Sequence, residues 1–245
     1  MTIEFNLDVS ASSEGLTFMF LAGEEIVAKF INGSTIISRT VENLDTDVKR
    51  RIKHHRAKGR VAKLILKLNQ TPEFINCNKE DLQSRMVISP SINYIEENFN
   101  PSKFDKVSYD PILEISNSSD NQTMNIQIQY APFNVEGGWE NIKENYTNSV
   151  IKLISKYSPN IESCIENKLL ITPDNIEKDY LVSGGHWHHG EIQIDQLFML
   201  RPIPGASQYR THLKGLYMCG AGTHPGGGLS GISGKNAAYA VLEDF

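Results

Sequence analysis

Apolar and polar side chains alternate in several short segments at the start of the chain. The alternation covers residues 3–7 and 16–20, and residues 26–31 form a third apolar segment. A period of two residues is typical of half-buried strands, whereas residues 45–58 favour a helix that Gly59 ends. The pattern therefore predicts a small β-meander followed by a helix.

Strand and helix patterns continue through the middle of the chain. The best strand signal is residues 124–130, and the best helix signal is residues 139–157, an amphipathic pattern of about five turns before Pro159. These mixed elements indicate an α/β (α+β mixed) fold class. Weaker patterns predict strands at residues 61–68 and 111–116, and a helix at residues 91–99 that begins after Pro90 and stops before Pro101.

A glycine-rich segment near the end of the chain is the strongest functional signal. Residues 216–219 predict a buried strand, residues 220–228 contain five glycines and a His-Pro pair, and residues 229–242 predict a helix. The first N–H groups of a helix are unpaired and its dipole is positive there, while glycines let the backbone approach a flat ring. The alternative is a tight structural turn, but this density of glycine favours a ligand site.

Composition and charge narrow the classes of partner. The chain has 245 residues and a net charge of -5, so we expect no nucleic-acid binding. Its three cysteines form no C-x-x-C pair, which favours a reducing compartment. We find no apolar run of transmembrane length and no signal-peptide pattern, so we expect a cytoplasmic or organelle-matrix protein without membrane insertion.

Several side chains upstream of the glycine-rich segment are candidates for chemistry. His186, His188 and His189 lie within four residues, but nothing nominates a further metal ligand, so we assign no metal and interpret them as lining or covering a cavity. Arg201 lies between an apolar run and Pro202, which indicates an inward role against an anionic group. Cys219 ends the predicted strand and is interpreted as a core thiol.

The segment from Gly215 to Gly228, with residues 234–238 behind it, resembles the closing motif of the phytoene desaturase-like family of the amine oxidase superfamily. The nearest branch is that of pyridine nucleotide-disulfide oxidoreductase domain-containing protein 2. Residues 184–191, 195–196 and 201–202 resemble the approach to this motif. Looser similarity covers residues 15–44, 90–96, 130–133 and 138–139.

The resemblance implies an FAD-dependent oxidoreductase. It implies an incomplete FAD-binding Rossmann-like domain, formed by residues 1–55 and 196–245, and a mixed-sheet substrate domain at residues 56–195. No residue is assigned a catalytic role, but the cavity candidates are His186, Trp187, His188, His189 and Arg201. The implied cofactor-binding residues are Gly220, Gly222, Thr223, His224, Pro225, Gly226, Gly227 and Gly228.

The family opens with a strand and a G-x-G-x-x-G turn that hold the FAD pyrophosphate and ribose. We assign no such motif here, and we interpret neither Gly184-Gly185 nor Gly226 to Gly228 as having its spacing. We therefore expect a second chain that carries the ADP-binding half, or self-association through a small-residue helix face at Gly227, Gly231, Gly234 and Ala238.

Three functions follow as hypotheses. The leading one is a flavoprotein subunit or carboxyl-terminal fragment that removes a hydride or two electrons from a C–H or C–N bond of an apolar small molecule. The second is a non-enzymatic relic or partner-binding protein of the same fold. The third, a histidine-metal hydrolase, rests on the three histidines alone.

Overall fold

A computed structural model describes residues 6–12, 15–22, 25–32, 45–78, 80–180, 182–212, 215–228 and 230–244. Its strands are β1 (Asn6–Ser12), β2 (Gly15–Ala22), β3 (Glu25–Asn32), β4 (Val61–Leu68), β5 (Met86–Ile88), β6 (Leu113–Asn117), β7 (Thr123–Gln129), β8 (Ile165–Ile171) and β9 (Leu216–Cys219). Its α-helices are α1 (Thr46–Lys53), α2 (Ile92–Ser102), α3 (Trp139–Ser155), α4 (Ile161–Cys164), α5 (Pro173–Tyr180) and α6 (Ile232–Asp244). The α/β class is confirmed.

The chain divides into two compact units, Met1–Lys58 with Ile176–Phe245, and Gly59–Asn175. The second unit ends at Asn175, well before residue 195, where the substrate domain was predicted to end. The reason is visible around Arg56, whose N–H donates to Gln196 Oε1 (2.7 Å) and whose carbonyl accepts from Glu191 N (2.9 Å). These contacts tie the segment after residue 182 to the first unit.

The first unit contains the predicted meander. Strands β1, β2 and β3 are antiparallel neighbours, and β9 pairs with β3 in parallel, with Phe30 opposite Tyr217. Residues 33–44, between the meander and the first predicted helix, lie outside the described residues. Helix α6 begins at Ile232 and packs its small buried side chains Ala237 and Ala240 against Tyr217, which leaves little distance between helix and strand.

Helix α1 is shorter than predicted because its apolar positions end early. Val48 and Ile52, four residues apart, are its buried side chains, and residues 53–56, which follow, are all polar. The helix ends at Lys53 rather than Lys58, and the N–H of His54 donates to the Arg50 carbonyl. Asp45 opens it by accepting a hydrogen bond from Asp47 N at 2.7 Å.

The second unit is a five-stranded sheet in the order β5-β6-β7-β4-β8. Every pairing is antiparallel, so the predicted mixed sheet is wrong in this detail. Short connections such as the one between β6 and β7 permit only antiparallel neighbours. The alternating side chains of β4 and β7 are fully buried and pack with α3, and burial of each such side chain contributes roughly 1.5–3 kcal/mol.

Helix α2 passes through the proline that was expected to stop it. Ser91 caps the helix by accepting from Tyr94 N at 3.1 Å, but the helix continues through Pro101 to Ser102. A proline in the last turn removes a single backbone hydrogen bond. Arg60 holds that turn by donating to Ser102 Oγ (2.9 Å) and to its carbonyl oxygen (3.0 Å).

Candidate functional site

The glycine-rich turn, residues 220–228, lies between β9 and α6, and the residues at its end are exposed. Gly220, Gly226 and Gly228 have φ values of +87°, +110° and +122°, which other residues rarely adopt. Thr223 is buried and closes the start of the turn, where its hydroxyl donates to the Gly220 carbonyl at 2.9 Å. Gly227 and Gly228 are exposed, so the turn presents bare backbone to solvent.

The helix predicted at residues 229–242 begins at Ile232. Gly231 has φ +69° and lies outside α6, so Gly234 and Ala238 are the members of the predicted small-residue face that the helix contains. A Cβ built on Gly231 or Gly234 meets no described atom within 4 Å. That part of the face is therefore open in the described chain.

Gly226, Gly228 and Gly231 do have the spacing of a G-x-G-x-x-G motif, so their exclusion on spacing is wrong. Their position in the fold differs from a dinucleotide fingerprint, in which the motif follows its strand at once and opens the helix. Here β9 ends at Cys219, well before Gly226, and α6 begins only after Gly231. The match alone does not assign pyrophosphate binding.

The histidine segment, residues 186–189, packs directly against the glycine-rich turn. A Cβ built on Gly222 would lie 3.3 Å from His189 Cβ, and one built on Gly227 would lie 3.1 Å from His188 Nδ1. The rings of His186 and His188 are 5.9 Å apart between centroids. Two segments that were predicted separately from the sequence are therefore neighbours. Close packing against the histidines is a second reason why glycine occupies these positions of the turn. Trp187 is 39% exposed.

Three histidines around the turn are neutral at pH 7. Burial lowers the pKa of His186 to about 4, and burial likewise lowers the pKa of His55 and His189. His186 Nδ1 accepts from the His188 N–H at 3.2 Å, so its Nε2 carries the ring proton. His55 Nε2 donates to the His189 carbonyl at 3.3 Å, which leaves its Nδ1 buried without a partner among the described residues.

Arg201 is 1% exposed and therefore points inward. Its Nε and Nη2 donate to the Ala221 carbonyl at 3.2 and 2.8 Å, its Nη1 donates to the Gln196 carbonyl at 3.4 Å, and its Nη2 also donates to the His188 carbonyl. Among the described residues, its partners are main-chain oxygens and not the anionic group expected from the sequence. Arg201 thereby joins the histidine segment to the glycine-rich turn.

An open cavity of about 800 Å³ lies beside α6, and its polar floor was not predicted from the sequence. Tyr209 Oη donates to the His224 carbonyl at 2.8 Å and accepts from Asn236 Nδ2 at 2.8 Å. His224 Nδ1 is buried and has no hydrogen-bond partner in the described part of the chain. Asn236 belongs to the segment behind the turn, but no local pattern marks Tyr209 as its partner.

Other candidates are less suited to chemistry. Burial raises the pKa of Cys219 to about 11, so its thiol is protonated at neutral pH and is a weak nucleophile. Across the described ranges, no group of three or more His, Cys, Asp or Glu side chains is placed to hold a metal ion. None of the described helices is both long and apolar enough to cross a bilayer.

Comparison with known proteins identifies relatives for about half of the chain. Over 120 residues, the chain is 39% identical to pyridine nucleotide-disulfide oxidoreductase domain-containing protein 2 of Rattus norvegicus. This match covers 48% of this chain and 21% of that protein. The chain is also 31% identical over 104 residues to a neurosporene-forming phytoene desaturase of Cereibacter sphaeroides, covering 42% and 19%. The chain is a homologue of these oxidoreductases. The resemblance to phytoene desaturase relatives is thus confirmed.

A third relative is a limonene dehydrogenase polypeptide of Castellaniella defragrans, 33% identical over 120 residues, or 48% of this chain and 22% of that one. The matched segment thus spans about a fifth of each of these relatives. Cyclohexylamine oxidase of Brevibacterium oxydans superposes on 98% of this chain and 48% of its own, with 11% identity and a TM-score of 0.47. No family model matches the chain.

Proposed function

We propose that this chain forms the flavin-facing and substrate-facing part of an FAD-dependent oxidoreductase. The observation that carries the proposal is the exposed backbone at Gly227 and Gly228, which lies beside His188 and is backed by the buried Arg201. Its homologues among phytoene desaturases and limonene dehydrogenase support the reaction class. Bound FAD would supply the acceptor for a hydride or two electrons from a C–H or C–N bond.

The residues around the turn fit a planar heteroaromatic ring. Gly228 leaves room that no described atom fills within 4 Å of a built Cβ. The Ile232 N–H donates to Ser230 Oγ at 3.4 Å and the Lys235 N–H donates to the Gly231 carbonyl at 3.0 Å. Among the described residues, the N–H groups of Ser233 and Gly234 between them remain available to a ligand. His224 Nδ1, which has no hydrogen-bond partner among the described residues, adds one further polar atom.

The histidine segment would form the wall of the substrate cavity. Because His186 and His189 are neutral, they can donate or accept hydrogen bonds without placing a charge beside an apolar substrate. His186 Nε2 would hold a proton toward a bound polar group, while Trp187 would cover apolar surface and exclude water. No catalytic proton transfer is assigned to either residue.

The ADP half of the cofactor needs a dinucleotide fingerprint. Gly226, Gly228 and Gly231 have its spacing but not its position between strand and helix. We propose that a strand and G-x-G-x-x-G turn, in another part of the protein or in a second polypeptide, completes the site. The open positions at Gly234 on α6 and at Gly231 just before the helix are suited to close packing against that half. Self-association is the alternative, and light scattering with and without a candidate partner distinguishes the two.

Partner binding without catalysis is a second candidate function. It is favoured by exposed apolar side chains between the histidine segment and β9, where Ile194, Phe198 and Met199 are 88%, 70% and 74% exposed. Such a cluster is typical of an interaction surface. A protein with this function would bind its partner normally but would hold no flavin.

The test is FAD titration followed by absorbance, with the chain alone and with a polypeptide that carries the G-x-G-x-x-G half. We expect weak or undetectable binding alone and stoichiometric binding in the complex. Gly227→Val should lower that affinity by at least tenfold, because its Cβ would lie 3.1 Å from His188 Nδ1 and its methyl groups would displace the histidine or the ring beside the turn. A complex that forms but holds no FAD would reject the enzyme proposal in favour of partner binding.

A further inference from the structure

Arg201 is a buried cation without a counter-ion in the described chain. Arginine is almost never fully buried unless it is paired, because desolvating its charge is costly. The two acidic side chains of its own segment bind a different arginine: Arg56 pairs with Glu191 at 3.2 Å and with Asp195 at 2.7 Å. No described carboxylate lies within 4 Å of the Arg201 guanidinium, so its charge is solvated only by carbonyl dipoles.

The guanidinium lies directly beneath the glycine-rich turn. Its Nε and Nη2 bind the Ala221 carbonyl, and a Cβ built on Gly226 would approach Nε at 3.7 Å. Gly227 and Gly228, which follow at once, are exposed. About one thickness of backbone therefore separates the charge from whatever binds on the outer face of the turn.

The neighbouring groups leave this charge uncompensated. His55, His186 and His189 are neutral because burial lowers the pKa of each ring, so they neither offset this charge nor add a second cation beside it. The N-terminus of α6, where the helix dipole is positive, lies next to the turn, since Ser233 Oγ donates to the Gly226 carbonyl at 3.5 Å. The turn therefore carries a positive potential with no negative partner among the described residues.

We propose that Arg201 is a positioning residue whose charge is balanced by negative charge on the ring bound at the glycine-rich turn, so that it favours the reduced, anionic ring. This inference rests on the proposed function, since it takes a flavin as the ligand. Charges interact strongly across a short distance where water is excluded. The planar fork also holds three carbonyls at fixed places, which the single ammonium of a lysine cannot do.

The experiment uses the flavin-loaded complex of the full chain with its G-x-G-x-x-G half. Arg201→Met removes the charge at similar length, and Arg201→Lys keeps the charge but loses the fork. Arg85→Met is the control, because Arg85 is exposed and already paired with Glu114 at 3.1 Å. The readouts are the midpoint potential of the bound flavin and the Kd of sulfite, which adds to flavin N5 and leaves negative charge on the ring.

We expect the midpoint potential of Arg201→Met to become more negative and its sulfite Kd to rise at least tenfold. Arg201→Lys should shift both quantities less, and Arg85→Met should leave both unchanged. A loss of packing alone would lower the melting temperature of both Arg201 variants without separating them by charge. If Arg201→Met holds flavin with unchanged potential and sulfite Kd, the inference is overturned while the proposed function stands.

Two further outcomes are decisive. If Arg201→Met does not fold, the unmodified complex is titrated with sulfite: adduct formation supports a positive site, and the absence of any adduct at saturating sulfite overturns the inference. If the unmodified complex assembles but holds no flavin, the proposed function fails and the role of Arg201 falls with it.

Discussion

The sheet of residues 59–175 and the segment that surrounds the glycine-rich turn are built by different means. In the sheet, Leu64, Met124 and Ile126 are fully buried and pack in one apolar cluster with α3. Around the turn, the buried apolar side chains of the described residues form two small clusters, and Arg201 holds three main-chain carbonyls. The sheet is stabilised by burial, whereas the turn is held by polar contacts that leave its backbone open to a ligand.

The largest effect is expected where burial dominates. Ile126→Ala removes a fully buried side chain opposite Leu64 and Ile115, and should lower the free energy of unfolding by about 2–5 kcal/mol. Ile126→Val, with a single methylene removed, is the matched control and should cost roughly 0.5–1.5 kcal/mol. Thermal denaturation measures both, and equal effects for the two variants would contradict a close-packed sheet.

The same logic predicts a local effect at the turn. Arg201→Met releases the carbonyls of His188, Gln196 and Ala221, and hydrogen bonds to a charged group contribute about 1.5–3 kcal/mol each. Amide hydrogen exchange should accelerate at least tenfold in residues 186–190 and 220–224 and stay unchanged in β4 and β7. Uniform acceleration over the whole chain would show that the turn is not a separate polar assembly.

A helix-capping variant in the second unit tests a smaller contribution to the free energy of unfolding. Ser91→Ala removes the hydroxyl that accepts from Tyr94 N and should cost about 1 kcal/mol, whereas Ser91→Gly should cost only a few tenths. Chemical denaturation measures the difference. If Ser91→Ala lowered the flavin content of the folded molecules, the result would contradict the claim that the two regions are separate.

The smallest effect concerns pH. The folded pKa of His186 lies near 4, below its ordinary value of 6.5, so the unfolded chain binds more protons at this position. Its stabilisation is complete above pH 6.5 and is lost as pH falls toward 4. The loss should be about 1 kcal/mol or less because the ring is partly exposed. His186→Gln should flatten the stability profile between these pH values, and an unchanged profile would contradict the burial of the ring.

The two regions also differ in what the sequence predicts. Strand β7 follows from clear alternation, β4 follows from a weaker alternation, and the meander follows from two alternating segments and one apolar segment. Strand β8 escapes prediction because Glu166, Asn167 and Lys168 hide its apolar pattern, and β5 is too short to show a period. Edge strands need little burial, so their sequences carry little signal.

At the site, the sequence identifies segments but not their contacts. The proximity of His188 and His189 to the glycine-rich turn depends on folding, and so does the pairing of Tyr209 with Asn236. The inward position of Arg201 follows from its apolar surroundings, but its carbonyl partners do not, because main-chain acceptors leave no mark in the side-chain pattern. The beginning of α6 after Gly231 is set by positive φ angles that composition does not reveal.

The central claim is that Gly227 faces a flavin and not only His188. The most direct measurement is FAD affinity of the complex for Gly227→Ala, His188→Ala and the double variant, since the built Cβ at Gly227 meets His188 Nδ1 at 3.1 Å. If the ring contacts the turn, the double variant keeps the reduced affinity of Gly227→Ala, while its thermal stability recovers. Recovery of full FAD affinity once His188 is trimmed would show that the glycine serves packing alone, and would contradict the account.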